Sequence, residues 1–174
     1  MNTMRKILVA TALLMLSAVA AAQLTIPGTK VKFELDNDAW IFVRTLKMTD
    51  GADLHLYCYT GEVFTDEGGD TVVPYLRIYV NSHFDGDLYE LVYNRYLERP
   101  YQSLEEYSKG PGLPKSGGLG YEGIYTNPRD HKDYRFMMTY FQDKKTMVEF
   151  RLETTVDTYD EMEPLFRTIL NSVQ

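Results

Sequence analysis

The stretch "DYRFMMTYF", residues 133–141, is apolar on both sides of an extended chain. Tyr134, Phe136, Met138 and Tyr140 alternate to one side, while Met137 and Phe141 give the other side apolar character. Successive side chains of a strand point to opposite faces, so this segment needs cover above and below. It is expected to be a central strand of a sheet packed on both faces.

Its neighbours extend the pattern. "GYEGIYT" precedes it across the loop "NPRDHKD", and "TMVEFRLET" follows it across "QDKK". Three strands joined by short turns predict an antiparallel meander. In the last strand Val148, Phe150 and Leu152 face inward and Glu149, Arg151 and Glu153 outward, which predicts a place near an edge or an exposed patch. Earlier in the chain, "KVKFEL" alternates Val31, Phe33 and Leu35 against Lys32 and Glu34. The turn "DNDAW" leads to the extended run "IFVRTLKM", and Asp50-Gly51 marks a tight turn. "LHLYCYT" (54–60) and "TVVPYLRIYVNS" (71–82) are two more strands, joined by "GEVFTDEGGD" with its permissive Gly68-Gly69. Pro74 cannot donate to a ladder, so it belongs at an edge, a bulge or a strand start.

Helix signals stand between and after the strands. In "DLYELVYNRYLERP", Asp87 and Glu90 have capping-box spacing and Pro100 stops the run. Leu88, Tyr89, Val92, Tyr93 and Tyr96 share a wide arc, so this helix is expected to be well covered. Ser103 and Glu106 predict a second short helix ending at Gly110, and "GPGLPKSGG" (110–118) predicts a loop. At the C-terminal end Met162, Leu165, Phe166, Ile169, Leu170 and Val173 recur with helical spacing. Thr158 and Glu161 suit a capping box. Pro164 should either break the first turn or stand at the first helical position. Strands, a helix, a meander and a final helix make an α+β fold, with helices packed on a mainly antiparallel sheet.

The first residues, "MNTMRKILVATALLMLSAVAAAQ", read as a secretory signal. Arg5 and Lys6 precede an apolar run from Ile7 to Val19, and Ala20-Ala21-Ala22 permits cleavage before Gln23. Residues 1–22 are expected to be the signal and residues 23–174 a single domain, periplasmic or secreted, with no transmembrane segment of its own. No Cys follows the apolar run for lipid attachment. Losing two basic residues takes the formal net charge from −7 to −9, which argues against nucleic acid as a partner. Cys58 is the one cysteine, so no intramolecular disulfide forms. Between Tyr57 and Tyr59 it has no neighbouring base and reads as an inert thiol.

Motifs that would carry chemistry fail on context. Gly118, Gly120 and Gly123 spell G-x-G-x-x-G, but a Pro/Gly loop precedes them and a strand pattern follows. A dinucleotide site needs a helix there, so these glycines serve the turn into the meander and a close approach at Gly123. His55, His83 and His131 lack metal-ligand spacing. His83, Asp85, Asp87 and Glu90 offer oxygen ligands without the spacing of a calcium loop, and the last two suit helix capping. No catalytic residue, cofactor or metal set is expected.

Four features together resemble the PsbP-like family, which includes the bacterial DcrB-like proteins. They are the opening strand and turn leading to Trp40, the run "GGLGYEG", the meander from Tyr121 to Glu153, and the terminal helix ending "ILNSV". The resemblance covers most of residues 23–174. It implies an α/β/α sandwich and a non-enzymatic accessory or binding role, and it carries over no ligand residue.

One aromatic constellation remains. His55, Tyr57 and Tyr59 lie opposite Leu54, Leu56 and Cys58 on one strand. Tyr75, Arg77 and Tyr79 lie opposite Leu76, Ile78 and Val80 on the next. If the strands pair, these six are expected on one sheet face, either beneath the helix at 88–97 or as a partner- or ligand-binding surface. Function then reads as an exported binding or accessory protein of the cell envelope, acting by contact with another protein there. The alternatives are a small-ligand binder or enzyme with its site between helix 88–97 and the Tyr-rich face, and a periplasmic immunity or inhibitor protein with an acidic surface.

Overall fold

The computed structural model describes residues 21–98, 101–107 and 118–174. Seven strands form one antiparallel sheet in the order β3-β4-β7-β11-β10-β9-β8. They are β3 (Trp40–Lys47), β4 (Asp53–Tyr59), β7 (Tyr75–Asn81), β8 (Tyr101–Tyr107), β9 (Leu119–Thr126), β10 (Asp133–Asp143) and β11 (Thr146–Thr155). A separate pair joins β1 (Ala22–Thr25) to β2 (Lys32–Leu35), and a small hairpin joins β5 (Phe64–Thr65) to β6 (Thr71–Val72). Helix α1 covers Leu88–Glu98 and α2 covers Val156–Asn171.

The doubly apolar strand is packed on both faces. Met137 and Phe141 of β10 join Leu76, Ile78, Val148, Phe150 and Leu152 in a cluster capped by α2 and the β1–β2 pair. Phe136, Met138 and Tyr140 join Tyr79, Tyr121 and Val92 of α1 on the other face. β9, β10 and β11 are adjacent and antiparallel, as the meander requires. The result is α+β with a helix on each side of the sheet.

Several elements differ from the sequence reading. β11 is not near an edge but lies between β7 and β10, and its charged side is buried. The segment at Ser103–Glu106 is an edge strand, not a helix. Extended pairing to β9 lets Tyr101 reach Phe136, with ring centroids 5.3 Å apart. Helix α2 begins at Val156 and continues through Pro164, so neither expected arrangement of that proline holds. Pro164 and Asp160, the residue whose carbonyl loses its partner, are both exposed. The cost of about 3 kcal/mol is offset by burying Met162, Phe166, Ile169 and Leu170, each worth about 1.5–3 kcal/mol. Thr158 does not cap but shares its hydroxyl with those of Thr154 and Thr155. Asp87 does cap α1, accepting from the Tyr89 and Glu90 N–H groups at 2.8 and 3.1 Å. The stop at Pro100, the end at Gly110 and nearly all of the 110–118 loop lie outside the described residues.

Candidate functional site

β11 lays Glu149, Arg151 and Glu153 in a row on the face that α1 covers, and all three are buried. Burying a charge is costly unless it is paired and fully hydrogen-bonded. Glu153 meets that condition. One carboxylate oxygen accepts from Arg77 of β7. The other accepts from Arg151 Nε at 2.8 Å and from the Tyr125 hydroxyl at 3.2 Å. The Arg151 guanidinium lies over the rings of Phe136 (4.4 Å) and Tyr125 (4.9 Å), contacts that suit a weakly hydrated planar cation. Burial alone would lower the Arg151 pKa, but Glu153 beside it holds it above the ordinary arginine range.

A second pair ties α1 to the sheet. Arg95 donates to Glu149 and to the Tyr140 hydroxyl, the latter at 3.3 Å. Its guanidinium sits 5.0 Å from the Tyr79 centroid and 5.8 Å from that of Tyr140. Tyr79 in turn donates to Asp50 in the β3–β4 turn. Burial and then the bond to Asp50 push the Tyr79 phenol up to about 12, and the same bond lowers Asp50. The Tyr140 phenol is also raised, by burial and then by Glu149. Two paired networks therefore stand on the α1 side of the sheet, and both hold groups in place.

The six predicted surface residues do not share a face. β4 pairs with β7 so that Leu56 stands opposite Arg77 and Cys58 opposite Tyr75. Residues directly opposite point the same way, so Tyr75, Arg77 and Tyr79 lie on the α1 side. His55, Tyr57 and Tyr59 lie on the α2 side, opposite Ile78 and Leu76. There Tyr57 packs edge-on to Phe33 and Phe42, and Tyr59 packs against Trp40 and Phe64. His55 is buried with Nδ1 2.9 Å from the Thr45 hydroxyl, and Nε2 has no hydrogen-bond partner among the described residues. Burial pulls its pKa below the ordinary value of 6.5, Asp53 opposes this and Lys47 adds to it. Tyr79 is buried, while Tyr75 and Arg77 remain partly open to solvent.

α1 is the larger departure. Tyr89, Tyr93, Tyr96 and Leu97, on a helix expected to be well covered, are 59%, 62%, 45% and 65% exposed. Only Val92 of α1 is among the fully buried apolar residues. The charged row on β11 was missed because alternating Glu-Arg-Glu resembles a solvated face. The usable signal was the run of aromatics on β9 and β10 able to sandwich an arginine.

Gly120 and Gly123 both lie within β9, paired on either side with β8 and β10. A Cβ at Gly123 would collide with the Ser103 carbonyl oxygen and come 2.8 Å from the Phe136 ring. Its glycine serves a close approach of strands, and no helix follows to meet a pyrophosphate.

Among the described residues no helix is long and apolar enough to cross a membrane. No family model matches the chain. No curated protein matches it in sequence. Solved structures do match in fold. Cyanobacterial PsbP (CyanoP) from Synechocystis sp. PCC 6803 is 14% identical with a TM-score of 0.56, over 92% of this chain and 95% of that one. LpqN of Mycobacterium tuberculosis, described as involved in cell envelope biogenesis, is 10% identical with a TM-score of 0.53, over 88% of each chain. Sheet order, the helix on each face and these similarities together establish a PsbP-like fold.

Proposed function

We propose that the chain is an exported accessory protein of the cell envelope that acts by contact with another protein. The observation that carries this reading is the uncovered apolar surface of α1, where Tyr89, Tyr93 and Leu97 are each more than half exposed. Tyrosine supplies large contact area at low entropic cost, and tyrosine and arginine are enriched among the residues that dominate interface energetics. Tyr75 and Arg77 belong to the same side of the sheet, next to the point where Arg95 crosses Tyr79. The secretory pattern of residues 1–22 and the part LpqN plays in cell envelope biogenesis agree with this setting.

The test uses the tagged full-length chain expressed in its native host. N-terminal sequencing of the periplasmic form should begin at Gln23. Wild-type protein should capture a defined partner that the Tyr93→Ser/Leu97→Ser variant fails to retain at an unchanged melting temperature. Equal capture by both proteins, or an uncleaved cytoplasmic chain, would overturn the proposal.

A further inference from the structure

A cleft of about 710 Å³ lies on the α2 side of the sheet, away from α1. It is bounded by the loop at 28–31, the end of the β10–β11 hairpin, and Val173-Gln174. The floor is apolar. Phe141 and Val148, opposite each other in register, belong to the main core cluster, and Val31 and Val173 pack against it. The rim is net cationic: Lys30, Lys144 and Lys145 outnumber its two anionic groups, the Asp143 side chain and the carboxylate of Gln174.

This collection of lysines is unusual for a chain of net charge −7. Among the described residues, Lys47 pairs with Asp53 and Lys132 with Asp66 and Asp70, while Lys30, Lys32, Lys144 and Lys145 have no ion pair. Three line the cleft, and the backbone of Lys32 bonds to Gln174 in its wall, at 3.0 and 2.8 Å. The hairpin adds a second oddity. Lys144 has φ 56, a left-handed conformation that glycine, asparagine or aspartate adopts more readily. Gln142 Nε2 donates to the Lys144 carbonyl at 2.8 Å and fixes the turn.

We infer that this cleft binds a single-chain amphiphile with an anionic head. The alkyl chain would lie on Phe141, Val148, Val31 and Val173, and the carboxylate or phosphate head would meet Lys30, Lys144 and Lys145. The volume falls within the range of about 300–1,000 Å³ typical of small-molecule sites. Charge complementarity at the rim and apolar burial at the floor require both parts of such a ligand.

The experiment is isothermal titration of the full purified protein with octanoate, decanoate and dodecanoate below their micelle concentrations. Dodecyl phosphate tests the other anionic head. Acetate and inorganic phosphate test the head alone, and dodecyl maltoside tests the chain with an uncharged head. Each methylene that enters the cleft should tighten binding about three- to four-fold. Binding should weaken at least about ten-fold in a Lys30→Gln/Lys144→Gln/Lys145→Gln variant, and equally when Val173→Trp fills the floor, with thermal melts confirming that both fold. The inference fails if dodecanoate and dodecyl phosphate do not bind. It also fails if acetate or phosphate binds as tightly as the long chains, if the maltoside matches dodecanoate, or if the triple variant binds unchanged.

Discussion

His55 shows how one residue can carry a pH dependence without a catalytic role. Its ring is buried on the α2 side of β4, held by Thr45, with Asp53 and Lys47 as its charged neighbours. Because burial lowers its pKa in the folded state, the folded chain binds fewer protons there than the unfolded chain near pH 6. Its contribution to stability is fully present above 6.5 and is lost as pH falls from 6.5 toward the depressed folded value. Urea unfolding at pH 7.5 and 5.5 should therefore show a loss of stability on acidification that is smaller in His55→Gln. An identical loss in both proteins would show that His55 does not titrate with folding. Gly123 is the counterpart in sterics. Its role was legible in the sequence because a glycine inside a strand pattern signals close approach, and the Ser103 backbone is what approaches. His55 was legible as a strand residue but not as a buried one, since that depends on which face its strand turns to the core.

At the scale of elements, α1 is held by a few contacts of high consequence. Val92 is buried, Arg95 pairs with Glu149, and most of the helix's aromatic surface is open. Arg95→Ala should cost about 3–5 kcal/mol, because it leaves Glu149 buried without its cation. Replacing both partners, as in Arg95→Leu/Glu149→Leu, should cost less than the single change. Denaturant unfolding of the two variants decides this, and a single-variant cost below about 1 kcal/mol would demote the pair to a surface contact. Helix α2 was legible because its apolar residues recur at helical spacing over many turns. Its start was not, because local logic stops a helix at Pro164 and only the buried stripe carries it past. β8 was misread for a related reason. S-x-x-E is a valid helix start, and the free edge of β9 beside Gly123 outweighs it.

On the scale of the whole molecule, β10 and β11 contribute to both clusters, so the two layers share one sheet and cannot come apart independently. Thermal unfolding should be a single transition, with the fluorescence of Trp40, the one tryptophan, coinciding with far-UV circular dichroism. Separated midpoints would contradict this coupling. The architecture was legible in the sequence because the doubly apolar β10 demands two covering layers. The candidate surface was not, because register is a tertiary fact. A shift of one residue between β4 and β7 exchanges His55, Tyr57 and Tyr59 for Leu54, Leu56 and Cys58 beside Arg77. The central position of β11 has a consequence for how such a chain can diverge. Glu153 answers to Arg77 and Arg151 at once, so changing it alone to an apolar residue strands the buried Arg151 cation, whereas losing either arginine leaves the carboxylate the other. Neutral drift is therefore closed first at the acidic position. Descendants of this sequence can shed the half-exposed Arg77 while Glu153 keeps Arg151, but positions 151 and 153 should change together across any lineage that preserves the fold.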